Sequence, residues 1–529
     1  MKQRLKPLGV SLCLLSMVST EAFATDSATS ENIISSRTQH LEAQLNQLQA
    51  EVASLKRQVQ SEKKASNNKK TTQHVTPTHT EISPKTTTVG SKNTPTLTDE
   101  PNYFPIDLDV PGQSFVSSGP YLGIPLQYSG SNLIINNPSV DQDVALLNIR
   151  KGIHNRLEAL GVKEEDDHAH VLLSGIVEGQ AMYKQIGGGP DSTGIDLTSA
   201  GLDAYILGPS SWISSLIALS YDNNLGSNSG SFNSNSRVQN SRTFINQAFV
   251  TIGNFTHSPF YGTFGQFYVP FGTYSSNMVS SPLTKLMART KARAIVFGYQ
   301  QQSTNAFYGS TYIFQGDTYT GSTSTVNNGG INLGYRFKKS DNVSGNIGGG
   351  IIANLADSVG MQDTGYTNPQ FGGFGGIGGS GSEQIVHRVA AYDLRALISL
   401  YHFDILAEYI TAAQSFSAND LTMNGSGALP QALNAEVAYS FEVFTKPTSI
   451  AVGYGMAKDV LALGIPKQRY SFVVNTSIWK DTLQSLELRH DVNYRTSDSA
   501  TGSVTSSRTL TYGVGQPNNI ITAQFDVYF

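Results

Sequence analysis

Residues 485–495 read Ser485-Leu486-Glu487-Leu488-Arg489-His490-Asp491-Val492-Asn493-Tyr494-Arg495. Successive strand side chains point to opposite faces, so Leu486, Leu488, Val492 and Tyr494 share one face with His490, and Glu487, Arg489, Asp491, Asn493 and Arg495 share the other. The inner face of a soluble sandwich does not take five consecutive polar positions, whereas a strand between lipid and a watery lumen requires them. The end of the chain repeats the theme, with Ile521, Ala523, Phe525, Val527 and Phe529 alternating with Thr522, Gln524 and Asp526. In 330–338, Ile331, Leu333, Tyr335 and Phe337 oppose Asn332, Arg336 and Lys338.

Working outward from these stretches, about sixteen such segments are expected after residue 170: 170–183, 195–208, 211–222, 242–254, 260–270, 292–302, 305–315, 329–338, 343–355, 386–400, 402–412, 431–442, 448–459, 467–479, 482–495 and 519–529. An even count suits a closed bacterial barrel with both ends on the periplasmic side. The connections alternate in length. Gly208–Ser210, Tyr401-His402 and Lys480-Asp481 are tight, while 223–241, 271–291, 356–385 and 496–518 are long and rich in Gly, Ser and Asn. Short periplasmic turns and long outer loops produce this asymmetry. Aromatics near segment ends (Tyr183, Tyr221, Tyr268, Tyr299, Tyr409, Trp479, Tyr494 and Phe529) fit interfacial girdles. The expected fold is all-β, a transmembrane antiparallel β-barrel of about 16 strands, preceded by a short N-terminal coiled coil and a small periplasmic or plug-like segment.

Composition agrees. Charged residues make up 14% of the 529 residues, well below the roughly 25% of soluble domains, and no apolar run of about 18 residues follows the first thirty positions, which excludes a helical membrane protein. Residues 1–24 carry the parts of a secretory signal: Lys2, Arg4 and Lys6, an apolar stretch from Leu8 to Val18, and the small-x-small site Ala22-Phe23-Ala24. The lone cysteine, Cys13, leaves with the signal, and the mature chain then has no disulfide, thiol nucleophile or cysteine metal site. Cleavage near Ala24 changes the net charge from −4 to −6, and nothing in the pattern suggests nucleic acid.

Residues 25–60 contain apolar positions 34, 41, 45, 48, 52, 55 and 59 at heptad spacing, which predicts a coiled coil and a homo-oligomer, dimer or trimer. Residues 61–100 form a polar flexible linker, and six lysines against two glutamates between 61 and 92 make cell-wall contact an option. Over 101–169 an extended Pro-rich start leads to a helix with Ser139 as N-cap and a stripe of Leu146, Ile149, Ile153, Leu157 and Leu160, ended by Gly161. That stripe must pack on something, either as a small periplasmic module or as a plug-like piece at the barrel mouth.

A barrel of this size leaves an aqueous channel, so passage of a substrate is the expected function. The alternation turns charges of both signs into the lumen: Glu178, Arg336, Lys338, Asp393, Arg395, Glu408, Glu487, Arg489, Asp491, Arg495 and Asp526. Arg336, Arg395, Arg489, Arg495, Glu487 and Asp491 are the substrate-binding candidates. Arg289, Lys291 and Arg293 form a basic ladder whose parity runs on into Ile295 and Phe297, which places it in the loop above the membrane, facing anionic ligands or lipopolysaccharide. No enzyme is expected. His168 and His170 beside an acidic run make a poor metal cage, Gly372–Gly381 opens no helix, and no nucleophile elbow is present, so no catalytic group, metal or cofactor is assigned.

Two stretches, Pro120-Tyr-Leu-Gly-Ile-Pro-Leu-Gln-Tyr-Ser-Gly130 with Asn132–Arg150 after it, and Tyr268-Val-Pro-Phe-Gly-Thr-Tyr274 leading to Ser281-Pro282, resemble the legiobactin-receptor type of siderophore porin. So does the order of signal, coiled coil, linker and barrel. The resemblance implies an outer-membrane protein that takes up a ferric polycarboxylate siderophore for iron acquisition. Energised siderophore receptors need about twenty-two strands and a large plug, and 101–169 is too short for one. A general or anion-selective diffusion porin and a structural or adhesin barrel are the competing functions; outer-membrane lipid and lipopolysaccharide are the expected surroundings.

Overall fold

The computed structural model describes residues 140–159 and 169–529, apart from 188, 209, 223–241, 322–324, 341, 365–370, 376–382 and 503–509, together with the backbone of two short strands, Ile106–Asp109 and Ser114–Ser118. The signal, coiled coil and linker expected over 1–100 lie outside the described residues.

Sixteen strands form the barrel. They are β1 Ala169–Gln185, β2 Ser192–Leu207, β3 Ile213–Asp222, β4 Arg242–Gly253, β5 Phe260–Tyr268, β6 Lys291–Gln300, β7 Ala306–Gln315 and β8 Val326–Ser340, then β9 Val343–Ile352, β10 Ala391–Leu400, β11 Phe403–Ala412, β12 Gln431–Val443, β13 Lys446–Lys458, β14 Gln468–Thr476, β15 Thr482–Val492 and β16 Asn518–Tyr528. Each pairs antiparallel with its neighbour, and β16 closes on β1 through Ile520↔Lys184 and Asp526↔Glu178. Each strand falls on one of the sixteen expected segments. Connections at one end run from two to six residues, those at the other from six to thirty-eight. The two-residue turn Phe444-Thr445 has φ of 48° and 62°, the left-handed pair whose twist matches a hairpin.

The outer surface carries the expected apolar band. Ile195, Ile217, Ile252, Phe264, Ile295, Ile313, Leu333, Leu394, Val452, Leu486 and Ile521 are all exposed, a pattern that water does not tolerate around a whole molecule but lipid requires. Tyr299, Trp479 and Phe529 are exposed near strand ends, as an aromatic girdle demands. Tyr268 and Tyr494 are exceptions. Both are buried: Tyr268 ends β5 beneath the Arg289 guanidinium, and Tyr494, in the loop beyond β15, donates its hydroxyl to the Ala457 carbonyl at 2.9 Å.

Helix α1, Gln142–Ala159, packs on the inner wall of β2 to β5. Leu146 and Leu147 are buried, Tyr205 Oη donates to the Leu146 carbonyl at 2.9 Å, and Thr263 Oγ1 donates to Asp143 Oδ2 at 2.7 Å. Arg150 is buried and donates to the carbonyls of Ile213 and Ser210 at 2.8 and 3.1 Å, while Lys151 Nζ reaches Gln302 Oε1. Ser210 and Gln302 belong to short turns, so the helix descends along the wall to the short-turn end. The side chains of Leu157 and Leu160, the end of the expected stripe, lie outside the described residues.

At the other end the loops make their own core. Phe371, Phe374 and Phe416 stack with Ile385, Val389, Leu421, Leu461, Ile465 and Ala500 in one buried cluster, beside a four-stranded sheet of Leu421–Met423, Ser426–Gly427, Ser499–Gly502 and Leu510–Tyr512.

Candidate functional site

The connection 269–290, between β5 and β6, is the central feature of the lumen. Its polar residues Thr273, Ser276, Asn277, Ser280 and Thr284 are donors, and the opposite wall supplies acceptors. Glu408 on β11 takes the backbone N–H groups of Thr273 and Tyr274 at 2.6 and 3.1 Å on Oε1 and the Thr284 hydroxyl at 2.6 Å on Oε2. Glu436 on β12 takes the Ser276 hydroxyl at 2.6 Å and the Asn277 N–H at 2.8 Å. Glu487 on β15 takes the N–H and the hydroxyl of Ser280 at 2.7 and 2.5 Å. Arg469 and Asn475 on β14 return the compliment, donating to the carbonyls of Ser281 and Asn277. In a ring of sixteen strands β14 and β15 lie across from β5 and β6, so the segment spans the lumen and is moored at the far side.

Mooring needs space as well as charge. A methyl group on Gly453 would approach Met278 Cε to 3.0 Å, and one on Gly455 would approach Leu283 Cδ1 to the same distance, so two glycines of β13 make the seat. Helix α2, Leu283–Ala288, buries Leu283 and Met287, and helix α3, Val359–Gln362, lies on it. Ser358 Oγ donates to the Met287 carbonyl at 2.7 Å and Val359 N to the Arg289 carbonyl at 2.8 Å. The crossing loop and the outer loops are thus one packed unit.

The charged candidates fall into three groups. Arg395 is buried and held by Asp393 at 2.5 Å and by Asn332; it and Arg336 both lie within electrostatic reach of Asp141, in the turn before α1. Burial, and then Asp143 and Asp393, push the Asp141 carboxyl up to about 7 against the pull of Arg395 and Arg336. Glu487 and Glu408 hold the crossing loop. Arg489 and Asp491 form the third group on the β14–β15 wall. There Arg469 Nε and Nη2 bond the two oxygens of Asp491 at 2.7 and 3.2 Å, and Arg489 Nε lies 3.3 Å from the same carboxylate.

Two expectations need correction. Arg495 does not line the lumen: it lies exposed beyond the end of β15, its N–H donating to Asp498, because the last ladder pair is Asp491↔Asn518 and alternation in sequence outruns pairing. The basic ladder is not a loop either. Lys291 and Arg293 open β6, paired with Tyr268 and Gln266, and only Arg289 precedes the strand, its guanidinium 4.4 Å over the Tyr268 ring. The parity toward Ile295 therefore puts Lys291 and Arg293 on the outer face at the rim. Reading by sequence omitted Glu436 and Arg469, although the parity of Leu433, Val437 and Tyr439, and of Tyr470 and Phe472, would have turned both inward.

The sixteen-strand closed barrel with this internal loop is a porin-like outer-membrane β-barrel fold. No protein-family model matches the sequence. The chain is 39% identical over 417 residues to a UPF0422 protein of Coxiella burnetii, strain RSA 493 / Nine Mile phase I, covering 79% of this chain and 84% of the relative. It is likewise 39% identical over 422 residues to a UPF0422 protein of Legionella pneumophila, strain Lens, covering 78% and 76%. The chain belongs to the UPF0422 family. Among solved structures, the anion-selective porin from Comamonas acidovorans aligns with TM-score 0.43 at 10% identity, covering 68% of this chain and all of that one. OprB of Pseudomonas putida aligns with TM-score 0.40 at 10% identity over 72% and 97%.

Proposed function

We propose that this protein is an outer-membrane channel that admits a ferric polycarboxylate siderophore, with the long loops outside and the short turns in the periplasm. The observation that carries the reading is the segment 269–290 moored to Glu408, Glu436 and Glu487: a loop tied across the lumen restricts what passes, which is what a selective channel needs. The same segment holds one of the two stretches that resemble siderophore porins. Lumen arginines, Arg336, Arg395 and Arg489, favour the carboxylates of such a cargo; the exposed Arg495 meets it at the outer loops. Signal cleavage near Ala24, an N-terminal coiled coil that makes homo-oligomers, and a lysine-rich tether touching the cell wall complete the proposal, as does a plug-like role for 101–169.

The test is to reconstitute the mature protein in planar bilayers and record conductance with and without the ferric siderophore, alongside uptake by a deletion strain under iron limitation. Channels blocked by siderophore, with uptake lost in the deletion strain, support the reading. Open channels indifferent to it identify a general or anion-selective porin, and silence from correctly folded protein identifies a structural barrel.

A further inference from the structure

Three strands of the wall, β15, β16 and β1, bring together cations that the loop does not consume. Arg489 and Lys184 flank Ile520 in the same cross-strand row, and Ser471 on β14 pairs with Arg489 from the other side. Ile520 is buried and points inward, giving an apolar floor between two cations. Arg489 Nε and Ser471 Oγ are both buried and neither makes a hydrogen bond. Lys184 lies within electrostatic reach of Arg489 and Asp491.

The acids nearby are already engaged. Asp491 holds Arg469 through both oxygens, and Glu487 holds Ser280 through both of its own. Three cations (Lys184, Arg469 and Arg489) therefore share two carboxylates, with Asp491 bidentate to Arg469 and 3.3 Å from Arg489 Nε, which leaves the row one positive charge in excess. A half-buried guanidinium whose Nε–H is ion-paired but not hydrogen-bonded, beside a hydroxyl with no partner, is costly unless a further acceptor completes it. A carboxylate does so: two oxygens meet Arg489 and Ser471, its charge meets Lys184, and its carbon skeleton lies on Ile520. The acidic register pair Glu178 and Asp526 is six residues down the same wall, about 20 Å away, and does not contest the site.

We infer that Lys184, Arg489 and Ser471 form a carboxylate-binding subsite on the lumen wall, in the long-loop half beside the moored segment. This rests on the channel reading and names the residues that recognise its cargo.

The experiment uses the purified full-length barrel in detergent, with citrate as the probe, by titration calorimetry, and the same variants in bilayers for the anion-to-cation permeability ratio. Arg489→Gln with Lys184→Gln is expected to weaken citrate binding by on the order of tenfold or more, and to lower the permeability ratio for anions. Ser471→Ala is expected to weaken it about threefold. Heat-modifiable migration checks folding. Where the Arg489 variant fails to fold, Lys184→Gln and Ser471→Ala, which leave the Arg489–Asp491 pair intact, carry the test. Citrate binding unchanged in folded variants overturns the subsite. Citrate binding that depends on these residues in a protein that never conducts overturns the channel reading and leaves the subsite standing.

Discussion

Glu487 on β15 and Ser280 in the crossing segment make a two-pronged contact, the backbone N–H on one carboxylate oxygen at 2.7 Å and the hydroxyl on the other at 2.5 Å. The residues are 207 apart in sequence, and the pair is one of three carboxylate moorings that hold a chain segment across a lumen.

The first prediction concerns those moorings. Glu408→Ala leaves the N–H groups of Thr273 and Tyr274 and the Thr284 hydroxyl without their acceptor, at a cost of about 1.5–3 kcal/mol for each charged hydrogen bond. The barrel ladder is untouched, so heat-modifiable migration stays native while single-channel conductance grows larger and noisier. Conductance identical to wild type would show that the segment does not limit flow.

A second prediction tests the union of the outer loops with that segment. A methyl group on Gly360 would sit 1.7 Å from the Leu286 carbonyl oxygen, a backbone atom with no room to retreat. Gly360→Ala is expected to cost about 1–3 kcal/mol and to lift α3 from α2, so that limited proteolysis cuts within 353–390 sooner than in wild type.

The seating of α1 is the third. Leu147 is 1% exposed between the helix and the inner wall, and Leu147→Ala opens a cavity worth about 2–5 kcal/mol. Amide exchange over 142–155 is expected to speed up while strand amides keep their protection; unchanged exchange would mean the helix is held by Asp143 and Arg150 alone.

The fourth is a pH dependence. The Asp141 carboxyl is raised to about 7 from the ordinary value near 4, so between these pH values the docked chain keeps a proton that a released chain has lost. Helix docking is therefore strongest in acid, weakens as pH rises through about 4 to 7, and is level above that. Asp141 has φ of 56°, a conformation asparagine also accepts, and Asp141→Asn is expected to flatten the profile of α1 exchange after correction for intrinsic rates. Protection that rises with pH in wild type and not in the variant would refute the assignment.

Finally, Leu333 on β8 is 61% exposed on the outer face. Leu333→Lys is expected to cost about 2–4 kcal/mol in lipid and to slow folding into bilayers.

Strand number, position and facing were legible in the sequence because they are local: period-two alternation between lipid and lumen needs only neighbours along the chain. Leu486, Leu488 and Ile521 against Glu487, Arg489 and Asp526 already specify which side faces lipid, and the unequal connections already separate the two ends. Where the alternation outran the ladder, at Arg495, local pattern failed because pairing is set by the partner strand. The ladder at Lys291 and Arg293 was misplaced for the converse reason, since pairing with Gln266 and Tyr268 extends β6 into what composition marks as loop.

What only tertiary structure decided is long-range. That 269–290 enters the lumen depends on Glu408, Glu436 and Glu487 arriving opposite it once sixteen strands close into a ring, and on Gly453 and Gly455 leaving space. That α1 lies inside the barrel depends on Thr263, Tyr205 and the turn carbonyls at Ser210 and Ile213 forming one surface. Buried carboxylates and idle donors gain their meaning from what faces them, and closure of the barrel, which no stretch of sequence contains, determines that.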